Sequence, residues 1–538
     1  MTATHEVTNQ PPPLAGYDVF GSDAALQEAV IRYDAGWATE DLHRLGQLAG
    51  SVDAQGWGEA ANTSSPVLRT HDRYGHRIDE VHYHSAYHQL LRTAIESGLH
   101  AAPWTDSRSG AHVARAAGFY VWSQTDAGHG CPVSMTYAAV PALRAPGVDP
   151  QLADHWIPRL TSRSYDGDLH PGKTSAIAGM AMTEKQGGSD VRSGTTSAAP
   201  TAESGVYLIT GHKWFCSAPM SDLFLVLAQA PGGLSCFAVP RVLPDGSRNP
   251  FALQRLKDKL GNRSNASSEV EFDGTLGWLV GPEGRGVATI TQMVNATRLD
   301  CVLGSASGMR QGVAQAIHHA KHRSAFGRLL VDQPLMANVL ADLTLESQAA
   351  THMALRLAHA VDSGENALRR LGTAVAKYSV CKNATRHAAE ALECLGGNGY
   401  VEESGLPRLL RDAPVNGIWE GSGNVSALDV LRAMTREPET VEAFRDEVGL
   451  AAGADRRLDQ AASELAKSLV DADESNARRL VERMAQLFAA SLLVRHAPTA
   501  VADAYCASRI AGDWGFTFGT LPSGTDTAAI IERAAPAA

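Results

Sequence analysis

Between about residue 174 and residue 290 the apolar residues stop recurring at every third and fourth position. They fall instead into short β-branched and aromatic runs, "GVYLITG", "DLFLVLAQA", "LSCFAVP" and "SSEVEFD", with turns between them. Such runs read as strands of a sandwich or barrel. On either side the helical period holds. In "HSAYHQLLRTAIESGL", residues Tyr87, Leu90, Leu91, Ala94, Ile95 and Leu99 mark one helical face. After "GPEGRG", Ala/Leu-rich helical stretches cover 289–322, 332–362 and 367–395, and the pattern returns at 475–495. Helices, then strands, then long helices is not the alternation of a doubly wound fold. The glycine run "LGGNGY" at 395–400 follows a helix rather than a strand, so a Rossmann fingerprint is missing.

This order divides the chain into an N-terminal arm and helical domain over 1–175, a β-domain over 176–288, a helical bundle over 289–435 and an extra C-terminal helical domain over 436–538. Residues 1 to about 20 are polar and Pro-rich and are expected to form an arm over the surface or over a neighbouring subunit. With 538 residues, 44% hydrophobic and 20% charged, the composition is that of ordinary globular domains. A net charge of -11 argues against a whole-chain nucleic-acid footprint. The seven cysteines are scattered, with no C-x-x-C pair, which argues against a disulfide framework or zinc site and for a reducing compartment. The start lacks a signal-peptide pattern. No stretch of about 18 apolar residues occurs. The expectation is a cytoplasmic protein without a metal or a membrane span.

Five loop stretches carry residues that could do chemistry. In "AMTEKQGGSDV", Thr183 and Ser189 can donate to a polar ring or phosphate, and Gly187 and Gly188 let backbone amides approach; a plain turn is equally consistent. In "GHKWFCSAP", Trp214 and Phe215 could face a flat ligand with Ser217 at its edge, or could be core. In "HHAKHRSAFGR", Arg323 and Phe326 could grip an anionic ligand that carries an aromatic ring, or form a solvated face. The glycines of "ECLGGNGY" allow close approach to a pyrophosphate, although a helix C-cap explains the first as well. In "PVNGIWEGSGNVSALD", Glu420 lies between Trp419 and a flexible Gly-Ser-Gly run.

Read in order, these stretches resemble the acyl-CoA dehydrogenase flavoprotein family, over roughly residues 20–435. The matching positions are Thr183, Glu184, Gly188, Ser189 and Asp190; Lys213, Phe215 and Ser217; Arg323, Phe326 and Gly327; Gly396, Gly397, Gly399 and Tyr400; and Glu420 with Gly421. The resemblance implies a mixed fold: N-terminal helices, a middle β-barrel or sandwich, a C-terminal four-helix bundle and an extra helical domain. It implies FAD, with the flavin ring held by Met182, Thr183, Gly188, Ser189, Trp214, Phe215 and Ser217. The diphosphate and adenine side would be held, across a subunit boundary, by Arg323, Phe326, Gln333, Gly396 and Gly397. Trp419, Gly421, Ser422 and Asn424 would border the cofactor, Arg298 would border the substrate cleft, and Glu420 would be the base that takes the α-proton of an acyl-CoA. A free carboxyl near pKa ~4.3 is a weak base, so burial beside Trp419 and the flavin should raise it.

Four departures narrow the resemblance. Lys185 replaces the usual Pro after the "TE" pair and Trp419 the usual Tyr, Glu393 stands before "LGG" where Gln is usual, and residues 436–538 run beyond the family's usual end. With "AYHQLLRTAIESGLHAAPW" and "AYCASRIAGDWGFTFGTLP", these features look like the AidB, or alkylation-response, branch. That branch implies a homotetramer and a C-terminal domain that contacts double-stranded DNA. Residues 436–538 hold 11 Lys+Arg against 16 Asp+Glu, so any such contact must use local arginines: Arg436, Arg478, Arg479, Arg483 and Arg509. Two functions remain in competition. One is a DNA-associated flavoprotein with vestigial dehydrogenase activity. The other is a conventional acyl-CoA dehydrogenase that passes electrons to an electron-transfer flavoprotein.

Overall fold

In the computed structural model, which describes residues 4–537, the chain forms two compact units. One joins Ala54–Ala111 to Thr125–Asp300; the other joins Met1–Asp53 and His112–Gln124 to Cys301–Ala538.

The first unit holds all the long strands. β1 (Val67–His71) and β2 (Arg77–His82) form a hairpin. β3 (Ala178–Ala181), β4 (Ser197–Pro200), β5 (Val206–Ser217), β6 (Leu223–Ala230), β7 (Gly233–Pro240), β8 (Ala252–Leu256) and β9 (Ser267–Val280) form one sheet in the order β3-β6-β4-β5-β9-β7, with β8 on β9. β6 also pairs with β7, so the ladder closes into a barrel rather than a sandwich. The β6 sequence explains its central place. Leu223–Ala228 are all buried, because alternate side chains serve two cores. Leu223, Leu225 and Leu227 join the helix Gly130–Leu143 in one core, while Phe224, Val226 and Ala228 join Ile209, Phe237 and Phe272 in the other.

The second unit is helical. Helices Pro334–Asp362 and Asn366–Glu393 pack so closely that a Cβ on Gly372 would lie 2.8 Å from Leu357. The helix Ala477–His496 packs on the same pair and buries Leu480, Met484, Leu487 and Phe488. Buried ion pairs fasten this tail: Glu447 accepts from Arg356 at 2.6 Å and from Arg495 at 2.5 Å. The compact units therefore group the four expected segments differently. The tail from residue 436 shares a unit with the long helices, and the chain up to Asp53 joins them. All seven cysteines are free thiols. Among the described residues, no helix is long and apolar enough to cross a membrane.

Candidate functional site

On the barrel unit the flavin-type residues gather where the loop after β3 folds back on β5. The Trp214 amide donates to the Thr183 carbonyl at 2.8 Å. Glu184 anchors the fold-back. Its carboxylate accepts from Lys213 Nζ at 2.8 Å, from the Thr195 amide at 2.7 Å and from the Thr196 amide at 3.1 Å. Burial pushes this carboxyl up, but the bonds from Lys213, Thr195 and Thr196 outweigh it and hold Glu184 well below the usual carboxylate range. Lys213 also donates to the Met182 carbonyl at 3.3 Å, so one ammonium fixes both ends of the Met182–Glu184 segment. A side chain at Gly188 would press to 2.6 Å of Thr183 Oγ1, which is why glycine is needed there. Ser189 is exposed on this loop, Ser217 shares a hydroxyl contact with Ser267 at 2.9 Å, and Phe215 is half exposed. Trp214 is covered on one face: Lys257 Nζ stands 3.3 Å from its ring centroid and is held by Glu269 at 2.7 Å. Sequence reasoning did not single out Lys257, since nothing local links residue 257 to residue 214.

Arg298 is half-buried on the long helix Gly286–His322.

On the helical unit, β10 (Ser324–Ala325) and β11 (Arg328–Leu329) form a small hairpin with Phe326 and Gly327 at its tip. Both tip residues have positive φ, 52° and 78°, as a tight two-residue turn requires. A phenylalanine held there at 99% exposure is strained and uncovered, the pattern of a ligand or partner contact. Gln333 braces the hairpin by donating to the Ala325 carbonyl at 2.9 Å. The N-terminal arm lies on this unit's own surface. Asn9 exchanges two bonds with the Ser324 backbone, at 2.8 and 2.7 Å, and Arg323 donates to the Asn9 carbonyl. Asn398 in the glycine loop donates to Gln10 at 3.4 Å. Gly396 has φ 59°, and a Cβ at Gly396 or Gly397 would meet open space.

Glu420 lies in the same unit, in the turn between helices Leu406–Asn416 and Gly423–Arg436. Its φ is 59°, which an L residue adopts only when its surroundings impose it. Lys377 imposes it: this buried ammonium donates to the Asn416 carbonyl at 2.9 Å and to the Gly421 carbonyl at 2.6 Å, on the two sides of Glu420. Trp419 is oriented by its Nε1 bond to Asn416 Oδ1 at 3.1 Å. Ser422 occupies the N-cap of the following helix without a side-chain capping bond, which leaves the first-turn amides near exposed Asn424 without that acceptor. Lys377 lies in a featureless helical stretch, and no sequence signal marked it.

The five arginines expected to face DNA are not alike. Arg436, Arg478 and Arg479 are exposed. Arg478 reaches the Tyr378 hydroxyl at 3.4 Å, and Arg483 pairs with Glu464 at 2.7 Å. Arg509 requires a correction. It is buried, bonded to Asp342 and to Glu346, with the Trp514 ring 4.0 Å from its guanidinium. Two carboxylates inside the fold satisfy it, and it has no surface to offer a phosphate.

The donor set fits FAD. A guanidinium beside an exposed aromatic, glycines with open space beside them and the uncapped helix start suit a diphosphate, and the Thr183, Trp214 and Ser217 groups suit a flat polar ring.

Comparison with known proteins agrees. The model of the adaptive response protein AidB N-terminal domain matches residues 9–167. Those of the acyl-CoA dehydrogenase middle and C-terminal domains match 179–275 and 284–435. The chain is 45% identical over 510 residues to the putative acyl-CoA dehydrogenase AidB of Escherichia coli (strain K12), with 94% of each chain covered. It is 31% identical to acyl-CoA dehydrogenase family member 11 of Caenorhabditis elegans, over 85% of this chain and 80% of that one. Among solved structures, Bd2924 in its apo form matches with TM-score 0.84 at 31% identity, covering 91% of this chain and 100% of that one. Caenorhabditis elegans ACDH-11 in complex with C11-CoA matches with TM-score 0.86 at 28% identity, covering 94% and 92%. The chain belongs to the AidB branch of the acyl-CoA dehydrogenase family, whose members depend on FAD.

Proposed function

We propose that this protein is an FAD-dependent oxidoreductase that dehydrogenates acyl-CoA thioesters, with Glu420 as the base. The observation that carries this reading is the left-handed turn at Glu420, held by Lys377 from both sides. A carboxylate kept in a strained backbone by a buried ammonium is built for position rather than for stability. When bound, FAD supplies the acceptor for the substrate's β-hydrogen. Glu420 takes the α-proton, which a thioester carbonyl acidifies when its oxygen receives hydrogen bonds. Lys377 keeps the Glu420 backbone from relaxing. The Glu184–Lys213 pair holds the Thr183 and Trp214 backbones in register, and Asn416 fixes Trp419, the residue before the base. The residues proposed for the flavin ring are Met182, Thr183, Gly188, Ser189, Trp214, Phe215 and Ser217. Arg323, Phe326, Gln333, Gly396 and Gly397 are proposed for the diphosphate and adenine, Gly421, Ser422 and Asn424 border the cofactor, and Arg298 borders the substrate. Electrons leave to an electron-transfer flavoprotein.

The ACDH-11 complex with C11-CoA supports an acyl-CoA as the substrate class. The test is anaerobic mixing of purified protein with C11-CoA, read as bleaching of the flavin band. Wild type should bleach, and Glu420→Gln should keep its FAD without bleaching. Wild type inert to every acyl-CoA would overturn the dehydrogenase reading.

Assembly as a homotetramer is supported by the large apolar residues left uncovered on the helical unit: Phe326, Leu335 and Tyr400 are each more than four-fifths exposed. Association with duplex DNA has weaker support. Of the expected arginines, Arg509 is buried and Arg483 is paired, so exposed Arg436, Arg478 and Arg479 carry that reading.

A further inference from the structure

The barrel unit contains a cavity of about 450 Å³ that the dehydrogenase reading does not use. It lies among β2, the helix Ser85–Glu96, the loop 165–169 and the turn 218–221. Its volume suits a small organic molecule. Three phenol rings line it. Tyr83 and Tyr87 are stacked at 4.3 Å between centroids, and Tyr165 is joined to His88 through a 2.7 Å contact between its hydroxyl and Nδ1. Ser221 is fully buried in the wall, and its hydroxyl makes no hydrogen bond among the described residues. A buried hydroxyl without a partner is costly, so a ligand atom that satisfied it would be favoured.

The residues that line this cavity carry only negative charge, while Arg92, Lys173 and Arg248 stand just outside it. No lysine or arginine lines it, whereas Glu80 and Asp168 do. Glu80 is already paired with Arg248 at 2.8 Å, but the Asp168 carboxylate makes no ion pair among the described residues. Burial pushes the His88 imidazole below its usual value, and Arg92 adds to this against Asp168, so His88 adds no positive charge at neutral pH. Arg92 also shows that these rings take a cation, since its guanidinium stands 5.5 Å from the centroid of Tyr165.

We infer that this cavity is a binding site for a small organic ammonium ion with an apolar body, recognised by the Tyr83, Tyr87 and Tyr165 rings, the Asp168 carboxylate and the Ser221 hydroxyl. Aromatic faces with one carboxylate select ammonium groups. Leu91, Ile177 and Met220 supply the apolar wall. An anion would meet the Asp168 carboxylate in the lining, which disfavours acyl carboxylates and phosphates in this place.

The experiment is calorimetric titration of the full-length, FAD-containing protein with benzyltrimethylammonium and benzylamine, and with benzoate as the isosteric anion. Both ammonium probes should bind saturably at one per chain, and benzoate at least roughly tenfold more weakly. Asp168→Asn, on an exposed loop where folding is not at stake, should weaken the ammonium probes roughly fivefold. Ser221→Val should weaken benzylamine more than benzyltrimethylammonium, because only benzylamine can bond a hydroxyl. The flavin spectrum should not change, which separates this site from the one around Glu420. Equal binding of benzoate, no binding of either ammonium probe, or wild-type affinity in both variants would each overturn the inference.

Discussion

Lys213 and Glu184 form a buried pair, Nζ to Oε1 2.8 Å, that ties the loop after β3 to the middle of β5. Both side chains are almost wholly out of water, and the carboxylate is further bonded by the Thr195 and Thr196 amides. Breaking one partner of such a pair strands a charge. Lys213→Met should lower stability by about 3–5 kcal/mol and loosen the Thr183–Trp214 contact. Chemical denaturation with FAD content followed in parallel will show it; unchanged stability would mean the pair contributes nothing net.

Arg323 and the Asn9 arm meet at the hairpin proposed to hold the FAD diphosphate. Arg323→Ala should weaken FAD binding roughly 10- to 150-fold, the worth of one charge-assisted hydrogen bond of about 1.5–3 kcal/mol. Fluorescence of free flavin after dilution measures this directly. Full retention of FAD would remove Arg323 from the site.

Lys377→Met should leave FAD bound but slow flavin reduction by acyl-CoA, since the turn at Glu420 loses both clamps. Each stranded carbonyl costs about 1–3 kcal/mol, so a loss of stability is also expected. Stopped-flow reduction at saturating C11-CoA separates the two effects. A variant with reduced stability and an unaltered reduction rate would show that Lys377 only supports the fold.

Glu447 sets a pH dependence. Burial pushes its carboxyl up, but hydrogen bonds from Arg356 and Arg495 outweigh this and leave it below the usual range. A folded-state pKa below the unfolded value of about 4.3 contributes stability that is fully present above pH ~4.3 and is lost as pH falls through the folded value. Glu447→Gln should therefore destabilise the protein at pH 7 and flatten its acid-unfolding curve relative to wild type. Parallel curves for the two proteins would contradict the assignment.

For duplex DNA, any binding should fall with salt by a slope of about 0.9 per phosphate neutralised. Arg436→Ala with Arg479→Ala should reduce that slope by up to about 1.8. Arg509→Ala should instead destabilise the helical unit, because Asp342 and Glu346 lose their buried partner. Gel shifts over a salt series check the first expectation and thermal melting checks the second.

What the sequence determined by itself was whatever depends on neighbours along the chain. The change of period near residues 174 and 290 marked the β segment, because strand and helix faces repeat at different intervals that no packing can disguise. The exposed loop around Gly188 lies in a run of residues that was legible as it stands, whereas the turn at Phe326–Gly327 was not read from the sequence. Tertiary structure alone decided which charges face water. Arg509 and Arg479 look equivalent in the sequence, yet one is enclosed by Asp342, Glu346 and Trp514, and the other is exposed. Lys377, 44 residues from Gly421 in the chain, became the clamp on Glu420 only through helix packing. Barrel closure through the pairing of β4 with β6 and of β7 with β9, and the docking of the tail helix Ala477–His496 on the long helices, belong to the same class. Contacts between residues far apart in the chain are made by shape and burial, and neither is written at any single position.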